Sequence, residues 1–452
     1  MTSENANEHS LKLLVPQLDR LLDRVQVNDI ARRSGFVKRV SKLAPEHFLE
    51  CMMFADLEQG SLQDCCDDIV LHNGVRVSKV ALHKRFNSSS VDFVREVLSA
   101  QMSSRMDFHN RDWSGFTAVV ISDSCKFQLP GKLSEVYPAM GRFAGGSSLM
   151  NIQYGLDIKS GSWRTLDFTR ATENDQRYSG NHLKDIGSSE LHIRDLGYVT
   201  HGYLLGVVRQ EAFFLNRLHT SCRPIEKATG KQINWTQKHL EMLNGKHPID
   251  EIPITIGKGI EAVECRLIAV QVPEKVWEER IRKANIQAKR QGYSLTDEYK
   301  NRARFSLFIT NVKDNRLSTE MVAELYRLRW QVELMFKNWK SLFRVHKHRS
   351  VGRERLECQL LGKLLRIVVN WKIYKCIDLI ASKRFKGRAS SMWKVFKHLR
   401  AINKALRGVL KKEITTMDWF NTYIDPIINS LLLEPKKGKK AAFQIINDIF
   451  KA

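Results

Sequence analysis

The sequence lacks a long uninterrupted apolar run. Its most apolar window, residues 360–381, is interrupted by four basic side chains: Lys363, Arg366, Lys372 and Lys375. A membrane-spanning helix needs about 20 predominantly apolar residues, so we predict that this window forms a buried helix instead. The first residues are polar and acidic, which is not typical of a secretory signal peptide. We therefore expect a cytoplasmic protein.

Paired metal-ligand spacings are also lacking. The cysteines contain no C-x2-C pair, although the chain has eight of them: Cys51, Cys65, Cys66, Cys125, Cys222, Cys265, Cys358 and Cys376. The histidines show neither H-E-x-x-H nor a Cys/His zinc spacing, so a structural zinc site is not expected. The thiols are expected to stay reduced, as is usual in a cytosol.

Acidic residues are scarce relative to basic ones. The chain has 49 Asp and Glu against 73 Lys and Arg, a formal net charge of +24 and a pI near 9.7. Such an excess indicates a polyanionic partner, with nucleic acid as the first candidate and an anionic membrane surface as the second. With 452 residues, 43% of them hydrophobic, the chain is long enough for two or three domains with a sizeable core.

One predicted helix, residues 318–343, has the clearest helical periodicity in the sequence. At about 100° per residue its apolar side chains gather on one arc, which should face a core. These side chains are Met321, Leu325, Leu328, Val332, Met335, Phe336, Trp339 and Phe343. Ser318, two residues before Glu320, is the expected N-cap.

A second arc of the same helix is polar. Tyr326, Arg329, Glu333 and Lys340 lie at offsets of three, seven and fourteen residues, which places them within roughly 60° of one another. An amphipathic helix with an i,i+4 ion pair between Arg329 and Glu333 would account for part of this pattern.

The combination Tyr-x2-Arg-x3-Glu-x6-Lys resembles the signature of one branch of the DDE transposases of bacterial insertion sequences. This branch is the YREK group of the insertion-sequence-four-like family, and the flanking RWQVE, FK and WK are similar to it as well. The resemblance extends over roughly Phe116 to Leu361. It implies an α/β (α+β) fold in which a ribonuclease-H-like catalytic core carries a β-rich insertion before the last catalytic helix, flanked by helical N- and C-terminal domains.

Two further acidic residues directly follow predicted β-strands. FTAVVIS, residues 116–122, predicts a buried strand ending in Asp123, and SLMNIQYGLDI and SWRTLDFTR follow it at hairpin spacing. Residues 190–194 predict a fourth strand, followed by a turn with Asp195, a helix to about Arg209 and a strand over 212–218. Acids thus follow the first and the fourth strand.

Asp185 is the alternative second acid. It precedes the turn-like IGSSE and would lie before the fourth strand, whereas Asp195 directly follows ELHIR. Asp-x-Gly-Tyr at Asp195 also resembles the second-acid motif of the family. We therefore choose Asp195.

Three acids from distant parts of the chain suit metal-dependent phosphodiester chemistry. Two divalent ions need few protein carboxylates, because the scissile phosphate and waters complete their ligand shells. We predict that Asp123 bridges two Mg²⁺ ions, with Asp195 holding one and Glu333 the other, and that Mn²⁺ can substitute. Each acid also has an ordinary structural explanation, as a turn acceptor, a helix cap or a partner of Arg329. DSCKF after the first acid departs from the usual small hydroxyl run of the family.

The cations beside these acids are candidates for DNA binding. Arg329 and Lys340 would neutralise phosphates next to the scissile bond. Tyr326 offers a hydroxyl or a ring face, and Trp330 could stack on an unpaired base or pack in the core. The resemblance implies cleavage through a hairpin intermediate, which needs an extruded base.

The two ends of the chain are predicted to be helical. Near the N-terminus, Ser61 and Ser78 begin two short helices separated by HNG, which form either a helix-turn-helix or an ordinary helical hairpin. Near the C-terminus, residues 383–412 hold eleven Lys or Arg and no acid, which favours phosphate contact over a merely solvated surface. The resemblance implies contacts between protomers for the C-terminal helices.

These observations predict five segments and one function. The segments are a DNA-binding domain (1–106), the first part of the core (107–218), the insertion (219–302), the last strand with the catalytic helix (303–360) and a basic C-terminal region (361–452). The predicted function is a DNA transposase, homodimeric in its synaptic complex. It would bind terminal inverted repeats in double-stranded DNA, excise the element and join its 3′ ends to target DNA. The alternatives are an inactive DNA-binding derivative and a structure-selective nuclease on the same core.

Overall fold

The computed structural model describes residues 11–12, 14–16, 18, 23–39, 41–55, 61–103, 113–140, 147–219, 222–348, 352–434 and 440–450. Most of the predicted N-terminal helix before residue 23, the end of PEHFLECMMFADLEQG and most of PKKGKK lie outside these ranges. The strands and helices below are numbered within the described residues.

A nine-stranded sheet forms the centre of the molecule. The strands in chain order are β1 Val119–Leu129, β2 Ser148–Asp157, β3 Trp163–Arg170, β4 Leu191–Arg194, β5 Phe213–Arg217, β6 Ile225–Glu226, β7 Ile249–Ile256, β8 Val263–Gln271 and β9 Phe305–Thr310. Their order across the sheet is β3-β2-β1-β4-β5-β9-β8-β7-β6. β4 and β5 run parallel to β1, and all other neighbouring pairs are antiparallel. An antiparallel three-stranded unit extended by two parallel strands is the ribonuclease-H-like arrangement, which confirms the predicted α/β core.

The helices flank this sheet. In chain order they are α1 Arg24–Arg33, α2 Pro45–Phe54, α3 Leu62–Asn73, α4 Lys79–Arg85, α5 Ser88–Ser103, α6 Asp175–Asn181, α7 His201–Arg209, α8 Trp235–Gly245, α9 Glu274–Gln291, α10 Asp297–Arg302, α11 Thr319–Tyr326, α12 Trp330–Ser341, α13 Arg353–Arg384, α14 Met392–Ala401, α15 Asn403–Leu410, α16 Thr416–Tyr423 and α17 Ala442–Ile449. The helix predicted to end near Arg209 and the strands predicted over 190–194 and 212–218 are confirmed within one residue at most ends.

The insertion between β5 and β9 extends the same sheet. Its strands β6, β7 and β8 continue outward from β9, so the insertion shares the central sheet with the core. Its helices have 11, 18 and 6 residues, whereas its strands have 2, 8 and 9. The insertion thus adds three strands to the central sheet and also carries three helices, formed by the polar stretches around its two long strands.

The segment that was predicted as one helix over 318–343 is interrupted. α11 ends at Tyr326, a 3-10 turn covers Arg327–Arg329, and α12 begins at Trp330. Most of the predicted apolar arc is buried, with Met321 and Phe343 half-buried. Ser318 occupies the N-cap position, but its hydroxyl donates to the Glu320 carboxylate instead of accepting from the helix backbone.

The N-terminal helices and α13 share one hydrophobic core with β1–β4, α11 and α12. α13 packs along α2 and α5, and a Cβ at Gly362 would lie only 2.4 Å from the Met52 carbonyl oxygen of α2. None of the described helices is both long and apolar enough to cross a membrane. The predicted buried helix over 360–381 is thus confirmed as the middle of α13.

The two short helices near the N-terminus have the predicted break points. The Ser61 hydroxyl accepts hydrogen bonds from the backbone N–H of Gln63 and Asp64, and Gly74 ends α3 with φ of 68°. The Ser78 hydroxyl caps α4. The role of this pair in reading DNA stays a prediction.

Candidate active site

The first two acids lie at the point where parallel pairing between β1 and β4 ends. Asp123 is in the middle of β1, which corrects the prediction that it ends the strand: β1 continues to Leu129 because it stays paired with β2. The parallel pairing with β4, however, stops at Ser122 and Arg194. Asp123 and Asp195 are the next residues on these two neighbouring strands, so the fold brings them to the same edge of the parallel pair.

The third acid reaches this edge from α12, and an arginine lies among all three. Nη1 of Arg329 donates to Oδ2 of Asp123 at 2.8 Å, and Nη2 donates to Oε1 of Glu333. Nε of Arg329 lies 4.0 Å from Oδ1 of Asp195. One guanidinium group therefore faces three carboxylates that come from positions 123, 195 and 333 of the chain.

The 3-10 turn explains how Tyr326 joins this group. With three residues per turn, side chains at i and i+3 eclipse, so Tyr326 and Arg329 lie on the same side, and the guanidinium carbon is 5.9 Å from the phenol ring centroid. The Tyr326 hydroxyl donates to Oδ1 of Asp195 at 3.2 Å. Its ring packs against Phe308 of β9, with centroids 5.1 Å apart.

The site is partly shielded from water. Side-chain exposure is 15% for Arg329 and 19% for Asp123, against 31% for Glu333 and 42% for Asp195. Burial raises the pKa of Asp123 to about 6, although the Ser124 backbone N–H and the Arg329 guanidinium favour its charged form. Burial, together with the Asp195 carboxylate, also raises the pKa of Tyr326.

The other two predicted DNA-binding residues lie on α12 at different depths. Trp330 begins the helix and is 55% exposed, so its indole is available to a ligand and is not part of the core. Lys340, three turns further along, is half-buried and lies near the Cys125 thiol of β1. Lys340 is thus separate from the Arg329 cluster, at the other end of α12.

Asp185, the alternative second acid, lies elsewhere. It ends a 3-10 turn over Leu183–Asp185, and its carboxylate is 2.8 Å from Nδ1 of His182 with 57% of its side chain exposed. The three-acid cluster is formed with Asp195.

Residues behind the cluster hold Asp195 in place, and sequence reasoning missed them. Arg194, directly before it, is buried, donates to the Ser179 hydroxyl at 2.9 Å and lies over the ring of Tyr203. The Asn216 amide donates to the Arg194 backbone carbonyl at 3.0 Å. The one available signal was an Asn at the end of the apolar run FFLN, which is unusual for a buried strand.

The donor set suits a hard divalent cation. Mg²⁺ prefers carboxylate oxygens and keeps several waters, and here three carboxylates already face one positive group. Among the described residues no three His, Cys, Asp or Glu side chains form a ready metal shell, since the guanidinium lies between these three. The residue types and their convergence fit the ion.

A ribonuclease-H-like sheet with acids at its first and fourth strands and on a late helix is the architecture of enzymes that cleave and transfer nucleic-acid strands. The family model for the transposase DDE domain matches residues 114–369. The chain belongs to this DDE transposase family, whose members cleave and transpose DNA.

Curated relatives cover most of this chain. It is 27% identical over 382 residues to the transposase for insertion sequence element IS231B of Bacillus thuringiensis subsp. berliner, which covers 80% of each chain. It is 27% identical over 467 residues to the transposase for insertion sequence element IS1151 of Clostridium perfringens, which covers 96% of each. The cryo-EM structure of the piggyBac transposase synaptic complex with hairpin DNA matches with a TM-score of 0.42 and 10% identity, over 96% of this chain and 87% of that one.

Proposed function

We propose that this transposase binds the terminal inverted repeats of its own insertion sequence, excises the element and joins its 3′ ends to target DNA, with Asp123, Asp195 and Glu333 as the catalytic acids. The observation that carries the proposal is the convergence of these three carboxylates on Arg329. The names of the relatives, which are transposases for insertion sequence elements, support the same function.

The three acids would hold two Mg²⁺ ions, with Mn²⁺ as a substitute. Bound there, the ions would supply Lewis-acid stabilisation of the attacking and leaving oxygens in an in-line displacement at phosphorus. Asp195 is kept in place for this role by the bond from Tyr326 and by its buried neighbour Arg194.

The cations and aromatic residues of the site would position the DNA. Arg329, with a forked guanidinium, suits a bidentate contact to a phosphate next to the scissile bond, and Lys340 suits a point contact further along the backbone. Trp330 has the exposure needed to stack on an extruded base. A homodimer in the synaptic complex and the five-segment division of the chain belong to the same proposal.

Glu333→Gln tests the metal assignment. It removes a charged ligand and keeps the shape of the side chain, so Mg²⁺-dependent cleavage of an element end should fall by orders of magnitude. Binding of the same DNA should persist, because phosphate contacts elsewhere carry it. Cleavage at a near wild-type rate would show that Glu333 of α12 is not a metal ligand in the active site.

Asp195→Ala and Asp185→Ala form a matched pair. The first should abolish Mg²⁺-dependent cleavage, whereas the second should leave most of it, since Asp185 pairs with His182 away from the cluster. The reverse result would move the site ten residues upstream. Adding a target plasmid to the same reaction separates a transposase, which yields a joined product, from a nuclease or an inactive DNA-binding derivative.

A further inference from the structure

The basic run over residues 383–412 divides into two groups in the folded protein. Five of its eleven cations form ion pairs with acidic side chains. Arg407, for example, is buried and lies 2.8 Å from Asp68 of α3, which ties the C-terminal region to the N-terminal helices. The others of this kind are Arg384 with Asp425, Lys394 with Glu434, Lys411 with Glu413 and Lys412 with Asp23.

The second group is exposed and forms no ion pair with any described residue. We call it the α14 surface, and it consists of Lys383, Lys386, Arg388, Lys397, Arg400 and Lys404 together with Trp393. Six positive charges that no ion pair compensates among the described residues make this surface attractive to a polyanion.

Trp393 lies among these cations. α14 buries Met392, Val395, Phe396 and Leu399, whereas Trp393 lies outside this buried side and is 40% exposed. Lys397 and Arg400 follow it at offsets of four and seven residues, so the three side chains share an arc of roughly 60°. The two cations can contact successive phosphates, and the exposed ring beside them adds apolar contact area.

The α14 surface adjoins the end of the catalytic helix. Nη1 of Arg400 donates to the Leu342 carbonyl oxygen at 3.0 Å, directly after α12. The rings of Phe343 and Phe396 are in edge contact at 5.7 Å. DNA with its scissile phosphate at Glu333 and its backbone along Lys340 would therefore meet α14 next.

We propose that the α14 surface binds the sugar–phosphate backbone of the DNA duplex that extends from the cleavage site. Lys397, Arg400 and their neighbours neutralise phosphates, and Trp393 packs against deoxyribose rings. The proposal rests on the proposed function only for the position of the scissile phosphate. A symmetric contact between two protomers fits this surface poorly, because an isologous interface would place its uncompensated cations against one another.

The test measures DNA affinity as a function of salt, without divalent ions, so that no cleavage occurs. Full-length protein is titrated with a 30-bp duplex of arbitrary sequence, since phosphate contacts are independent of sequence. Lys397→Gln should reduce the slope of log K against log salt by about 0.9, and Lys397→Gln with Lys404→Gln by about 1.8. Trp393→Ala should weaken binding about five-fold with the slope unchanged, since an indole releases no counterion.

Two control variants are matched to these changes. Lys397→Arg keeps the charge and should keep the slope. Lys231→Gln removes an exposed lysine close to β6, which is the edge strand at the far end of the sheet from β3. This variant should change neither the DNA affinity nor the salt slope. Thermal melting of each variant verifies that it is folded.

An unchanged slope in the Lys397 and Lys404 double variant overturns the proposal. An unchanged slope combined with loss of dimer in sedimentation also overturns it and assigns the surface to a protomer contact. These outcomes are distinct from failure of the proposed function. If the lysine variants show the expected slope changes but the wild-type protein never cleaves DNA, the DNA-binding surface is supported and the catalytic assignment is wrong.

Discussion

Arg329→Ala probes the electrostatics of the candidate site without relying on catalysis. The guanidinium contacts Asp123 and Glu333 and lies 4.0 Å from Asp195. Removing it leaves three neighbouring carboxylates with no positive partner among them. We expect the variant to be less stable than the wild type when no divalent ion is present.

The magnitude follows from the exposure of the side chains. Breaking a fully buried ion pair costs about 3 to 5 kcal/mol, whereas an exposed pair contributes about 0 to 1 kcal/mol. Arg329 and Asp123 are 15% and 19% exposed, and Glu333 is 31% exposed. The pairs are thus intermediate, and the loss in the free energy of unfolding should be about 2 kcal/mol.

Divalent ions should reverse much of this loss. A ligand that binds the folded state stabilises it by RT ln(1 + [L]/Kd), about 2.7 kcal/mol at a hundred times Kd. Because Arg329 no longer competes for the carboxylates, Mg²⁺ or Mn²⁺ should bind the variant more tightly and stabilise it more than the wild type.

The assay is denaturant or thermal unfolding of wild type and variant with and without 10 mM Mg²⁺, together with calorimetric titration of Mn²⁺. Arg327→Ala is the matched control, since Arg327 belongs to the same 3-10 turn but is exposed. Equal stabilisation of wild type and Arg329→Ala by Mg²⁺, or no loss of stability without it, would refute the view that the guanidinium and the ion share one set of carboxylates.

Two further predictions concern α13. Burial lowers the pKa of Lys372 to about 7, so between pH 7 and about 10 the unfolded chain binds more protons at this amine, and stability should rise with pH. Lys372→Met should flatten this rise and stabilise the protein at pH 7 by about 1 to 2 kcal/mol. Thermal melting of wild type and variant at pH 7 and pH 9.5 measures both effects. A variant whose stability depends on pH as the wild type's does would contradict the prediction. Gly362→Ala would place a Cβ 2.4 Å from the Met52 carbonyl oxygen and should cost about 3 kcal/mol by overpacking. The matched control, Gly180→Ala in α6, meets nothing within 4 Å and should raise stability by about 0.5 kcal/mol in the same unfolding assay.

The sequence was most informative where periodicity and local chemistry act together. The apolar arc that contains Leu325, Val332 and Trp339 is buried as its spacing predicts. Ser61 and Gly74 bound α3 as expected, because a side-chain cap and a left-handed residue are local requirements. The site residues Arg329 and Glu333 could be proposed together because one helical turn separates them.

Long-range pairing is what the sequence did not determine. The predicted end of the first strand at Asp123 was wrong because β1 stays paired with β2 as far as Leu129, and such pairing depends on a partner far along the chain. Nothing in the composition distinguishes Arg407, which is buried against Asp68, from exposed Lys397 in the same basic run. The 3-10 turn after Tyr326 likewise arises within an unbroken helical pattern.

That turn places Tyr326 and Arg329 side by side next to Asp195. The single guanidinium group of Arg329 then faces two possible partners, the carboxylates of the site and a DNA phosphate. Arg329 cannot pair fully with the carboxylates and with a phosphate at the same time. A phosphate that takes the guanidinium leaves Asp123 and Glu333 without their positive partner, which raises their affinity for a divalent cation. By linkage, the cation then raises the affinity of the protein for the phosphate by the same factor. The proposed roles of these residues therefore predict that DNA binding and ion binding are coupled, with the cation site completed once the phosphate has engaged Arg329.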